Sequence, residues 1–201
     1  MSRTTTILAC VGLSLPVAVF VACSASSSGG NVPTTCDQGG GDGGSCTPGT
    51  TPAYTTCLTT SELQTPGVSF KSDIQPIFNQ SCAIGGAECH GAPNNPSLLQ
   101  IYLGVYGDAG TPDAAEILSG LVGKPAGEDS QIDLITAGDP GASYLMHKMD
   151  DDQCQFASDC PDMTVEMGQK CGVGMPFSSG ILGVTTRDQV RKWIAQGAKN
   201  N

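Results

Sequence analysis

Cys82-Ala-Ile-Gly-Gly-Ala-Glu-Cys89-His90-Gly91 is the stretch on which the reading of this 201-residue chain turns. A Cys followed directly by His, with a second Cys upstream, is the layout of covalent haem attachment. In that chemistry two thiols add to the vinyl groups of the ring, and the adjacent imidazole reaches the iron from one face. The standard spacer of two residues keeps both sulfurs on one helical turn; here the spacer has six. In a continuous helix residues seven apart are separated by about 10.5 Å of rise, so the spacer must loop out. Gly85-Gly86 at its centre supplies the permissive backbone for that. The same loop would also bring the two Cα atoms within the roughly 4.4–6.8 Å that a disulfide needs. Haem attachment and a Cys82–Cys89 bridge are therefore the two readings of this stretch.

Helical signals surround it. Ser72 and Asp73 can cap a short helix carrying Ile74, Ile77 and Phe78 at spacing i, i+3, i+4, with Pro76 tolerated near its start. Ile117, Leu118, Leu121 and Val122 make one side of a second helix over 112–122, stopped by Gly123. Pro140 opens a third with Tyr144, Leu145 and Met149 as its stripe. Thr186-Arg187-Asp188-Gln189 has the form of a capping box, ahead of a stripe of Val190, Trp193 and Ile194 that Gly197 ends. No alternating run is long enough for a sheet. The expected class is all-α.

Composition divides the chain. Of the 44 residues 24–67 only Val32, Leu58 and Leu63 belong to the set Leu, Ile, Val, Met and Phe, against 33 of the 134 residues 68–201. The first segment has too little apolar surface to offset its ordering entropy, whereas the second has enough. Residues 23–67 read as a disordered Gly/Ser/Thr-rich tether with a reach of roughly 35–40 Å, and 68–201 as the one compact domain. Ahead of them, Arg3 and the apolar run Ile7–Ala22 have signal-peptide length, too short to span a bilayer comfortably. Phe20-Val21-Ala22-Cys23 resembles the lipobox of bacterial lipoproteins. That resemblance implies removal of 1–22, lipidation of Cys23 and a chain anchored in the cell envelope by its acyl groups alone. A formal net charge of −10, from 9 Lys+Arg against 19 Asp+Glu, argues against a nucleic-acid partner.

Ten Cys in such a chain suit an oxidising compartment. With Cys10 and Cys23 set aside, and Cys82 and Cys89 consumed by haem or by each other, six remain. Cys36, Cys46 and Cys57 lie in the tether, and Cys154, Cys160 and Cys171 in the domain. Three on each side means that full oxidation demands at least one bridge between the two. Fifteen connectivities are open, and the expected one is Cys36–Cys46, Cys154–Cys160 and Cys57–Cys171.

Phe70-Lys-Ser-Asp-Ile-Gln-Pro-Ile-Phe78, Ser81-Cys82 and Cys89-His90-Gly91 resemble the opening of the cytochrome c-like domains of bacterial secreted and lipoprotein chains. Further pieces follow in matching order: Leu121-Val122-Gly123, Gly138-Asp139-Pro140, Ser143-Tyr144-Leu145, Gly174-Met175-Pro176 and Trp193-Ile194-Ala195-Gln196-Gly197-Ala198. The resemblance covers most of 68–201. It implies a cytochrome c-like fold in which the first and last helices cross, Ile74 and Phe78 against Trp193. It also implies one haem c whose iron is held by His90 and Met175. The long spacer is where the chain departs from the pattern.

Other residues are weighed against these. Met163 and Met167 are rivals to Met175, each in a polar segment. His147, between Met146 and Lys148 on a helix, reads as a solvated histidine, with sixth ligand as the lesser alternative. Asp150-Asp151-Asp152, with Asp159 and Asp162, reads as a solvated acidic face; a calcium site would suit the oxygen ligands but lacks a fixed loop spacing. No Gly-rich phosphate loop, Gly-x-Ser-x-Gly elbow or Cys₄ zinc pattern is present. The sequence thus points to a haem-binding electron carrier, rather than a catalyst with its own substrate, meeting a redox partner in the envelope. The alternatives are a haem-free, disulfide-held binding or structural lipoprotein, and a peroxidase-like site with open iron and His147 as distal group.

Overall fold

A computed structural model describes residues 58–85, 89–92, 101–105, 113–156, 159–160, 170–177 and 180–201. The leader, Cys23 and the tether cysteines Cys36, Cys46 and Cys57 lie outside them, as do Met163 and Met167. Within the described residues five α-helices follow in chain order: α1 Thr60–Gln64, α2 Gln75–Ser81, α3 Ala114–Leu121, α4 Tyr144–Asp150 and α5 Val184–Ala195. A π turn, Phe70–Ile74, leads into α2, and single 3₁₀ turns lie at Pro140–Ala142 and Gln153–Phe156. Among the described residues there is no β-strand, only three isolated bridges that fold the 122–143 connection back on itself. The architecture is helical, as the periodicity indicates. Among the described residues no helix is long and apolar enough to cross a membrane.

The centre of the core is an aromatic triangle. Phe70 from the π turn, Phe78 from α2 and Trp193 from α5 are each wholly buried. Their ring centroids lie 5.4 Å (Phe70–Trp193), 6.2 Å (Phe70–Phe78) and 6.3 Å (Phe78–Trp193) apart, the last pair edge to face. Such pairs contribute about 0.5–1.5 kcal/mol each beyond the area they bury. The expected contact of Phe78 with Trp193 is present, and Ile74 is buried in the same cluster.

Burial moves two helix starts away from the strongest cap signals. The first begins at Ser69, whose hydroxyl accepts from the Ser72 N–H while Asp73 Oδ2 accepts from the Ser69 N–H (2.8 Å). That start brings Phe70 under Trp193. Likewise α5 begins at Val184, so the capping box at Thr186 goes unused and Gly183 serves as a cap without a side chain. Starting there keeps Val184 buried at 7% exposure. At the other helix ends the glycine signals hold: Gly123 and Gly197 adopt left-handed φ of 64° and 98°.

Packing also reaches upstream of Val68. Thr59 caps α1 in a reciprocal capping box with Glu62. Gln64 Nε2 donates to the Ala195 carbonyl (3.1 Å), and Gln196 Nε2 donates to the carbonyls of Leu63 (2.9 Å) and Pro66 (3.0 Å). The stretch 59–67, read as tether by its composition, is fastened to the end of α5.

Candidate functional site

The C-terminus of α2 delivers Cys82. Its N–H and that of Ala83 both donate to the Phe78 carbonyl, at 2.9 and 3.0 Å. The chain then returns: His90 N–H donates to the Cys82 carbonyl at 3.0 Å, a contact that a continuous helix through this stretch would not allow. The 101–105 segment lies alongside, with the Leu103 N–H donating to the His90 carbonyl at 2.9 Å.

His90 is held at one nitrogen. Its Nδ1 is 3.2 Å from the Ile101 carbonyl oxygen. A carbonyl can only accept, so Nδ1 carries the proton and Nε2 keeps its lone pair. Burial holds the imidazole's pKa below its usual value; the Ile101 carbonyl opposes that, and the nearby Lys148 ammonium adds to it. The ring is thus a neutral imidazole of fixed tautomer whose Nε2 meets no hydrogen-bond partner among the described residues, which is the form a metal-binding histidine takes.

The two thiols differ from each other. Cys82 is free and buried, and burial alone pushes its thiol up to about 12. Cys89, 2% exposed, is already in a disulfide. Since Cys82 carries no bridge, the Cys82–Cys89 disulfide, the alternative reading of this stretch, is not formed. The bond between the two sides of the loop is instead the backbone contact from His90 to Cys82.

The remaining domain cysteines also pair otherwise than expected. Cys160 and Cys171 are bridged, with Cα atoms 5.5 Å apart, which excludes Cys154–Cys160 and Cys57–Cys171. Sequence proximity favoured the first of those pairs. The fold instead fixes Cys171 by α4, where its carbonyl accepts from Tyr144 Oη (3.1 Å) and Lys148 Nζ (3.0 Å). Cys154 is disulfide-bonded as well. The expected Cys36–Cys46 bridge lies outside the described residues.

Met175 stands in a segment laid against α4. Its N–H donates to the Lys148 carbonyl at 2.7 Å, its side chain is half-buried, and Pro176 follows through a cis peptide bond. Lys148 thus touches Met175 through its backbone and influences His90 through its charge. The Lys148 ammonium is itself buried, paired to Glu128 at 3.0 Å.

The run Asp150–Asp152 is not a solvated face, whereas Asp159 is exposed and Asp162 lies outside the described residues. Asp150 and Asp152 are 5% and 6% exposed. Asp150 is gripped from α5 by Arg187 Nη1 at 2.7 Å and by Arg191 Nη2, while Arg191 Nη1 also reaches Asp188 at 2.8 Å. Asp152 Oδ1 lies 2.7 Å from His147 Nδ1. Arg187 and Arg191, brought in from distant sequence, and His147, from α4 itself, are what allow the two carboxylates to be buried. His147 is correspondingly not solvated. Its Nε2 is 2.9 Å from the Gly141 carbonyl, and its ring packs against Phe156 with centroids 4.8 Å apart. Nε2 faces the Gly141 carbonyl, and Nδ1, which the Gln155 amide nitrogen also approaches at 3.0 Å, faces the Asp152 carboxylate, so an acceptor stands at each nitrogen for the protonated ring. Burial pulls its pKa down, but the hydrogen bond and charge of Asp152, the Gly141 carbonyl and Asp150 outweigh burial and leave it raised.

Among the described residues no group of three or more His, Cys, Asp or Glu is arranged to hold a metal ion. A haem iron asks less of the chain, one or two axial side chains, and against that demand the fit is divided. His90 meets the requirement for an axial ligand in tautomer, charge state and free lone pair. Cys89 does not fit a thioether while its disulfide stands. Comparisons with protein-family models, with curated proteins and with solved structures found no match.

Proposed function

We propose that this chain binds one haem, with His90 Nε2 and the Met175 thioether as axial ligands, and passes single electrons to a redox partner in the cell envelope, where lipidated Cys23 anchors it. The observation that carries this reading is the imidazole of His90, neutral, fixed through Nδ1 and open at Nε2. A bound haem would supply a one-electron iron couple; the chain's part is to orient His90, present Met175 and keep water from the ring. With Cys89 in a disulfide, Cys82 is the one thiol beside His90 left for covalent attachment, so at most one thioether forms. Buried and protonated, that thiol is a poor nucleophile.

The state of the two cysteines favours a second reading, a haem-free helical lipoprotein that serves as a binding or structural module. One experiment separates the two. The full chain is expressed in a host with c-type maturation, purified, and its reduced visible spectrum recorded before and after acid–acetone extraction. The haem reading expects a reduced α-band at one haem per chain. Pigment that stays with the polypeptide marks the single thioether at Cys82, and pigment that leaves marks ligation alone. A colourless protein from that host removes the electron-transfer reading and leaves the structural one.

A further inference from the structure

The segment from Cys171 to Met175 is gripped by α4 and the residues just after it, almost one backbone atom at a time. Tyr144 and Lys148 hold the carbonyl of Cys171, and Gln153 Nε2 donates to the carbonyl of Gly172 at 3.3 Å. The Asp151 carboxylate accepts from the Gly174 N–H, and the Met175 N–H donates to the Lys148 carbonyl. Two residue choices make sense only through the Asp151–Gly174 contact. Asp151 ends α4 in the left-handed region, at φ 57° and ψ 37°. Glycine would take that conformation without strain but would offer no carboxylate. Gly174 is not among the residues with positive φ, so its backbone conformation does not demand glycine. Its space does: a Cβ there would lie 2.3 Å from Asp151 Oδ1 and 2.9 Å from Asp151 Cβ.

We propose that Asp151 is a positioning residue whose carboxylate fixes the Gly174–Met175 backbone so that the Met175 thioether is presented before any ligand arrives. This rests on the reading of Met175 as an axial ligand and assigns the residue that sets its place. Preorganisation of this kind removes the ordering cost from the binding step.

Two measurements on the full chain test it. In protein prepared without haem, Asp151→Ala should raise amide exchange at Gly174 and Met175 about tenfold, the loss of roughly one charge-assisted hydrogen bond, with exchange in α5 unchanged. Asp151→Asn keeps an acceptor and tolerates the left-handed backbone, so it should restore protection. In pigmented protein, Asp151→Ala should lower the midpoint potential in the direction of Met175→Ala, since methionine is the ligand that raises it, and Asp151→Asn should return it toward wild type. Unchanged exchange in Asp151→Ala, or an Asn variant no better than Ala, overturns the proposal. A wild-type chain that takes up no haem defeats the presentation of Met175 to iron, while the exchange result still reports separately on the clamp.

Discussion

The chain's two histidines occupy opposite chemical situations within one small helical body. His90 spends one ring nitrogen on a carbonyl and keeps the other; His147 spends both, one on a carboxylate and one on a carbonyl. Burial leaves the first neutral, while Asp152 and its neighbours hold the proton on the second. What separates a ligand-ready imidazole from a structural cation is therefore the number of acceptors within reach, not exposure, since both rings are largely enclosed. It also disfavours His147 as a sixth ligand or a distal acid–base group, because each of its nitrogens is already committed.

That contrast can be strained first at the frame that carries His147. Asp150→Ala would leave the guanidiniums of Arg187 and Arg191 buried without their shared carboxylate, and should cost about 3–5 kcal/mol, read as a lowered urea midpoint. A loss below about 1 kcal/mol would mean that water already screens the cluster. His147→Gln comes next. Removing a hydrogen-bonded cation should cost about 1.5–3 kcal/mol at pH 6. The sign of its pH dependence follows from the raised pKa: the folded state binds the proton more tightly than the unfolded chain. The stabilisation is complete below the ordinary value of 6.5 and is lost as pH rises through the higher folded value. Thermal midpoints of the wild type should fall from pH 6 to pH 8, and those of His147→Gln should stay flatter. Equal slopes would show that His147 is not protonated in the fold.

The smallest effect is expected at His90. In protein without haem, His90→Ala removes one neutral hydrogen bond and should cost about 1 kcal/mol at pH 8. Because burial lowers the folded pKa of the ring, protonation of the unfolded chain erodes its contribution below the ordinary value of 6.5, so the loss should be smaller at pH 6 than at pH 8. A larger loss would make His90 a structural residue and weaken its claim as a ligand. Cys82 gives a separate check on the same loop. Its thiol should resist alkylation in the native chain and react after denaturation, whereas ready labelling at neutral pH would contradict a sealed, protonated thiol.

Much of the frame is legible in the sequence because its signals are local. The stripe Val190, Trp193, Ile194, the glycine stops at 123 and 197, and the return of His90 to the Cys82 carbonyl each follow from residues within one or two turns. The Thr59-Thr-Ser-Glu62 capping box is equally local, but a composition count over the whole segment hides a five-residue helix. Other features are not local at all. Asp150 meets Arg187 and Arg191 across 37 and 41 residues of chain, and no pattern around an acidic run announces the cations that will bury it. The partners of His147 are near in sequence, five and six residues away, but they come from a turn before α4 and a residue beyond its end, outside the helical spacing by which the stripe is read. Cysteine pairing fails for a related reason: the nearest pair in sequence was Cys154 and Cys160, but the carbonyl anchors on α4 bring Cys171 to Cys160. At the candidate site the sequence supplies His90 and Met175 by motif, and leaves the tautomer of the first and the clamp behind the second to the fold.

The most direct test places the two histidines side by side. Wild type, His90→Ala and His147→Gln are produced as full chains in the same c-type maturation host, and haem per chain is measured on each from its reduced spectrum. About one haem is expected in the wild type and in His147→Gln, and none above background in His90→Ala. Pigment retained in His90→Ala but lost in His147→Gln, or absent from the wild type, would contradict that expectation.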